Sequence, residues 1–144
     1  MKNIKHRSDC PISFSLDFLG DKWTLLILRD MIIYNKRSYN DFLKSHEKIS
    51  TNILADRLSA MEENGFISSK TSMEKKSRII YTMTEKSVDL IPIILEHYIW
   101  GSKYNPQGNT EILEELLTNK QTVIERYQNN MRSFIRSSIE QHYI

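Results

Sequence analysis

The sequence predicts a mainly α (α+β) protein: a winged helix-turn-helix with a two-stranded β wing and an added C-terminal helical extension. Three observations predict it. Two short amphipathic segments, near 38–43 and 50–64, follow one another through a tight polar connection. Directly after them the pattern changes to segments rich in Ile, Thr, Tyr and Phe around a basic tip. Helical periodicity precedes and follows this group.

The first element is "PISFSLDFL", with Ile12, Leu16 and Leu19 at helical spacing. Pro11 suits a first turn, where its missing N–H costs nothing. Gly20 breaks the pattern, and Asp21 can cap the next helix, "KWTLLILRDMI". That helix is apolar on most sides, which places it, with Trp23, in the core. In "NKRSYNDFLKSHEK", Ser38 and Asp41 form a capping-box-like start, and Tyr39, Phe42 and Leu43 an apolar face.

The fourth element, "ISTNILADRLSAMEENGFI", has small polar residues at its start and Asn64-Gly65 as its stop. Leu54, Leu58 and Met61 make a stripe, with Ile53 and Ala60 beside it. Thr51, Asn52, Ala55, Asp56, Ser59 and Glu63 lie opposite. A two-stranded hairpin comes next, "FISSKTSM" and "SRIIYTM" joined by "EKKS". Thr84 then caps "EKSVDLIPIILEHYIW", with a kink expected at Pro92.

A breaker cluster, "NPQGN", separates residues 1–104 from a tail, 105–144. Thr110 can cap the helical pattern of that tail. Leu113, Leu117, Ile124, Tyr127, Met131 and Phe134 form an imperfect seam of one amphipathic helix or a broken pair. The tail is expected to pack on its own domain or on a partner subunit.

Composition narrows the function classes. The chain has 144 residues, 40% hydrophobic and 26% charged, enough for a core and not a disordered chain. No apolar run approaches the roughly 18–20 residues of a membrane span. The start "MKNIKHRSDCPIS" has basic residues without an apolar signal core, and a single cysteine fits a reducing compartment, so a cytoplasmic protein is expected. His6, His46, His97 and His142 share no metal-ligand spacing, and no phosphate loop or nucleophile motif occurs. Neither an enzyme nor a cofactor is therefore expected.

The net charge of +2 decides nothing, but its distribution is informative: Lys70, Lys75, Lys76 and Arg78 face Glu74 alone within 70–78. The N-terminal residues of a second helix in this motif reach base edges in the major groove. Ser50, Thr51 and Asn52 are small and polar there, though the same residues also serve as ordinary caps. Arg57 lies at the edge of the buried stripe and suits either a structural ion pair or a phosphate contact. Arg37, Lys75, Lys76 and Arg78 complete the candidate DNA contacts.

These motifs resemble the HxlR-type family of bacterial winged-helix transcriptional regulators. The resemblance runs from Cys10 to about Tyr104. It rests on "CPI", "LGDKWTLLILRD", "KRSYNDFL", "ISTNILADRL", "MEENGFI", "YTMTEKS" and "LIPIILEHYIWG", in that order. It implies a homodimer on double-stranded DNA with two half-sites, the helix Ser50 to Asn64 in the major groove and the hairpin Ser68 to Tyr81 as wing. The first and last helices would form the dimer surface. Some members sense oxidants or electrophiles through a cysteine that Cys10 matches. The alternative is a small, partly buried residue at the dimer surface. The effector is not legible. A winged-helix module for protein–protein contact is the second function class.

Overall fold

The computed structural model describes residues 5–108 and 111–140. The chain forms two compact units, Met1–Tyr81 and Thr82–Ile144. The division falls within a strand.

In the first unit, α1 (Pro11–Leu19) starts on proline and ends at Gly20, whose N–H donates to the Leu16 carbonyl at 2.9 Å. A Cβ at Gly20 would sit 2.6 Å from that oxygen, so the close approach excludes a side chain. The second helix, α2 (Lys22–Tyr34), is capped by Asp21, which accepts the Thr24 N–H at 2.9 Å. Ile27, Leu28, Met31 and Ile32 of α2 are buried. Trp23, expected in the core, is only half-buried, and the Lys22 ammonium lies 5.2 Å from its ring centre.

Two helices come next, α3 (Tyr39–Leu43) and α4 (Thr51–Glu63), capped by Ser38 and Ser50 as the small hydroxyl residues predict. Helix α4 packs on both α2 and α3 through buried Leu54, Leu58 and Met61. Its end is a Schellman motif: Phe66 N–H donates to the Met61 carbonyl at 2.8 Å and Gly65 N–H to Glu62 at 3.1 Å. Gly65 has φ 77°, a conformation that a residue with a Cβ rarely adopts. Phe66 and Met61 are both buried across this turn, which aims the chain into β1 (Ile67–Thr71).

β1 pairs with β2 (Ile79–Met83), and β1 packs on α4. Ser38 forms an antiparallel bridge with Ile80, and Tyr81 N–H donates to the Arg37 carbonyl at 2.7 Å. The residues before α3 thus add a one-residue third strand to the wing hairpin.

In the second unit, α5 (Glu85–Val88) opens with a capping box between Thr84 and Ser87. The expected single kinked helix is in fact two, because α6 (Ile91–Tyr104) begins after a break at Asp89 and Leu90. Pro92 has no N–H to continue the ladder and stands in the first turn of the new helix, where none is needed. After a short 3₁₀ turn, Pro106–Gly108, the tail is a broken pair, α7 (Glu111–Thr118) and α8 (Lys120–Glu140). The expected cap Thr110 lies outside the described residues. Both tail helices pack on α6, and α8 also packs on α5. Leu116, Val123, Ile124 and Met131 are buried, while the predicted seam residue Leu117 is exposed. Among the described residues no helix is long and apolar enough to cross a membrane.

Candidate nucleic-acid interface

The α3–turn–α4 segment is held from below by a charge network. Asp30, buried near the end of α2, accepts from Arg29 Nε at 2.9 Å, from Lys36 Nζ at 3.5 Å and from the Ser45 hydroxyl. Arg29 also donates both terminal nitrogens to the Glu47 carboxylate, the second at 2.9 Å. Ser45 and Glu47 belong to the connection between α3 and α4, so the network ties that connection to α2. Hydrogen bonds from Arg29 hold the Glu47 carboxyl at about 2, well below its usual value. Lys48 closes the connection with φ 57°, and the buried Ile49 anchors its end.

The start of α4 is fixed twice. The Ser50 hydroxyl accepts the Ile53 N–H at 3.3 Å, and the Tyr39 hydroxyl donates to the Thr51 carbonyl at 3.1 Å. Thr51 and Asn52 remain exposed, as do Ala55 and Ser59 on the same helix. Ser50 is therefore the cap, and Thr51 and Asn52 present their side chains to solvent at the positive end of the helix dipole.

Arg57 is engaged within the protein. Its Nε and Nη2 reach Asp21 at 2.8 and 3.1 Å, and Nη1 reaches Asp56 at 2.6 Å. The side chain is 20% exposed. Of the two sequence alternatives for this residue, the geometry forms the ion pair. Arg37 is half-buried, and its carbonyl serves the bridge to Tyr81.

The hairpin tip is closed by its own hydrogen bonds. Ser72 N–H donates to the Arg78 carbonyl at 2.7 Å, and Arg78 N–H to Lys75 at 2.9 Å. Lys75 and Lys76 are exposed there. The Arg78 guanidinium reaches Ser38 at 3.4 Å and Asp41 at 3.5 Å, at the start of α3. Burial alone would raise the Asp41 carboxyl, but its hydrogen bonds with Ser38 and Arg37 and the charge of Arg78 outweigh that and lower it.

Cys10 is exposed and free at the N-cap of α1, without a side-chain capping bond. The neighbouring basic side chains point elsewhere: His6 Nδ1 and Arg7 Nε lie 3.1 and 3.4 Å from Asp17. Among the described residues no cluster of His, Cys, Asp or Glu could hold a metal ion.

Sequence reasoning missed Tyr39 as a clamp on α4, the Asp30 network and the Ser38–Ile80 bridge. Only the first left a local signal, an aromatic with a polar tip one residue after the cap.

A family model described as HxlR-like helix-turn-helix matches residues 18–109. The uncharacterized HTH-type transcriptional regulator YdeP of Bacillus subtilis is 34% identical over 95 residues, 66% of this chain and 73% of its own. The redox regulator HypR in its oxidized form superposes with a TM-score of 0.59 at 28% identity, covering 65% of this chain and 96% of that one. The quinone-bound YodB from B. subtilis superposes with a TM-score of 0.53 at 25% identity, covering 65% and 98%.

Proposed function

The chain belongs to the HxlR-like helix-turn-helix family of transcriptional regulators, and from that premise we propose that it binds a two-half-site operator as a homodimer, with α4 in the major groove. The observation that carries this reading is the exposed pair Thr51 and Asn52 on a helix start fixed by Ser50 and Tyr39. Small polar side chains there let the backbone come close to the duplex while their own groups reach base edges. Lys75, Lys76 and Arg78 of the wing would take phosphates, with Arg37 at its base, and Arg57 would hold α4 on α2 rather than touch DNA. Helix α1 exposes Ile12, Phe14 and Leu16 and buries no residue within the chain, which suits it to a second copy.

The test is selection of bound sequences from random duplex DNA. Two half-sites about 10 base pairs apart, centre to centre, or a multiple, are expected. Thr51→Ala or Asn52→Ala should relax the preference at one position per half-site by about 1–3 kcal/mol. Binding of neither selected nor random duplex at low salt would favour the alternative, a module for protein contact. If Asn52→Ala discriminates operator from random DNA as the parent does, the major-groove assignment fails.

We infer in addition that Cys10 makes the protein responsive to oxidants or electrophiles. Its exposure and the redox-related forms in which HypR and YodB are known support this. Operator binding by the parent and by Cys10→Ser, with and without peroxide or a quinone, tests it. Unchanged affinity in all four samples leaves Cys10 a structural residue.

A further inference from the structure

Arg78 and Asp41 form a loose ion pair at a junction that is already rigid. One nitrogen, Nη2, donates both to the Ser38 hydroxyl at 3.4 Å and to Asp41 Oδ2 at 3.5 Å, the outer limit of hydrogen bonding. The Arg78 side chain is 49% exposed and that of Asp41 33%. Arg57 differs on every count: two of its nitrogens grip Asp21 at 2.8 and 3.1 Å, and it is 20% exposed. The wing does not need the Arg78 side chain to stay on α3. The Ser38–Ile80 bridge and the bond from Tyr81 N–H to the Arg37 carbonyl, at 2.7 Å, already join the two through the main chain. An exposed pair of this geometry contributes little to stability, so it is easily exchanged for a better one.

The pair also stands beside the start of α4. Asp41 lies in α3, and Tyr39 of the same helix donates its hydroxyl to the Thr51 carbonyl at 3.1 Å. A carboxylate and a phosphate offer a guanidinium the same chemistry, two oxygens matched to two N–H groups. We propose that Asp41 is an internal substitute for DNA phosphate: it holds Arg78 in the free protein, and the guanidinium passes from this carboxylate to a backbone phosphate when the duplex is bound. This rests on the reading above, that α4 occupies the major groove and the hairpin is a wing. Arg78 then gives up a weak one-nitrogen pair, and the Asp41 carboxylate loses its partner. Asp41 therefore lowers affinity for operator and random duplex alike, because a phosphate contact carries no sequence information. Binding to random DNA, which such contacts supply, is held down, and occupancy is left to the base contacts of α4.

The experiment measures the affinity of the full chain for its selected operator and for a random duplex over a salt series. Asp41→Asn keeps an acceptor for the Arg37 N–H and removes the charge. It is expected to bind both duplexes about two- to fivefold more tightly, since an exposed pair no longer has to be broken. Arg78→Gln should bind both more weakly and flatten the salt slope by about one. In the Arg78→Gln chain, Asp41→Asn should bring no gain. A gain of the same size with and without Arg78 would make Asp41 a source of plain repulsion and overturn the exchange. Weaker binding by a folded Asp41→Asn would make the pair a strut that positions the wing, and would overturn it too. The parent gives a second readout that needs no variant to fold: the NMR signal of the Arg78 guanidinium should move when operator is added, and an unmoved signal overturns the proposal. If Asn52→Ala discriminates operator from random DNA as the parent does, or if the parent binds neither duplex, the underlying reading fails and takes the exchange with it. If Asn52→Ala is impaired and Asp41→Asn shows no gain, the exchange alone fails.

Discussion

Arg57 and Asp21 share a two-point ion pair, Nε and Nη2 on one carboxylate at 2.8 and 3.1 Å, and that carboxylate also caps α2 through Thr24. One side chain therefore fixes the start of α2 and the middle of α4 together. Burial alone would raise the Asp21 carboxyl, but the hydrogen bonds from Arg57 and Thr24 outweigh it and lower it. Asp21→Ala should cost about 1–2 kcal/mol, of which the cap is about 1 and the partly exposed pair less than 1. Arg57→Met should cost less than that, and almost nothing when Asp21 is already alanine. Urea unfolding of the four proteins measures this coupling. If Arg57→Met keeps full stability but binds every duplex more weakly, Arg57 is a phosphate contact after all.

The Arg29–Glu47 pair sets a pH dependence. The Glu47 carboxyl is lowered from 4.5 to about 2. A depressed carboxyl contributes stability that is complete above its unfolded value and is lost as pH falls through its folded value. The parent should therefore lose this contribution progressively from about pH 5 down to about pH 2. Glu47→Gln should be less stable than the parent at pH 6, and the difference should shrink through that window. Urea midpoints at pH 6, 4 and 2.5 test it. A constant difference at all three would detach the effect from titration of Glu47.

Ser50 should separate from its neighbours. Its hydroxyl serves the Ile53 N–H, so Ser50→Ala should cost about 1 kcal/mol of stability. Thr51→Ala and Asn52→Ala remove exposed side chains and should change stability by less than about 0.5 kcal/mol. Their effect belongs in the selected DNA sequences. Thermal unfolding beside the selection experiment distinguishes the two roles, and a large stability loss in Asn52→Ala would move Asn52 to the structural side.

What was legible in the sequence was local. Asp21, Ser38, Ser50 and Thr84 all cap helices, because a cap is decided by a hydroxyl or carboxylate and an N–H three residues away. The stripe Leu54, Leu58 and Met61 is buried because period and burial coincide on one short helix. What was not legible depends on distant partners or on helix phase. The Ser38–Ile80 bridge joins residues 42 apart in sequence through a single pairing, too short to leave an alternation. In the tail, the periodicity fits one amphipathic helix or a broken pair, and it does not locate the break at Asn119. The helices meet there, and Leu116 and Val123 take the buried positions while Leu117 points outward. Among the candidate contacts, Arg57 could not be assigned until Asp21, 36 positions earlier, was seen beside it.

The exposed face of α1 should respond to charge. Ile12 and Leu16 are four residues apart and both are exposed. Ile12→Glu with Leu16→Glu should leave the monomer folded, because neither side chain is in the core. If α1 pairs with a second copy as proposed, two carboxylates on that apolar face would weaken the dimer. Operator affinity should then fall, because two half-sites are no longer bound as one event. Sedimentation over a concentration series is the direct measurement, and an unchanged dimer would move the interface away from α1.

The tail offers the sharpest contrast between packing and assembly. Leu116 and Val123 are fully buried and Met131 nearly so within the chain's own second unit, where α7 and α8 lie on α6. Lys120 reaches Glu96 at 2.6 Å and Arg132 reaches Glu85 at 3.2 Å, joining the tail to α6 and α5. Exposed pairs of this kind contribute little, so the apolar side chains must hold the tail in place. Leu116→Ala and Met131→Ala should each cost about 2–5 kcal/mol, while Leu117→Ala should cost less than about 0.5. A deletion after Gly108 strips the cover from α6, and the amides of α5 and α6 should lose hydrogen-exchange protection. If the truncated chain instead keeps that protection and dissociates at higher concentration than the full chain, the tail serves the dimer and its packing here is secondary.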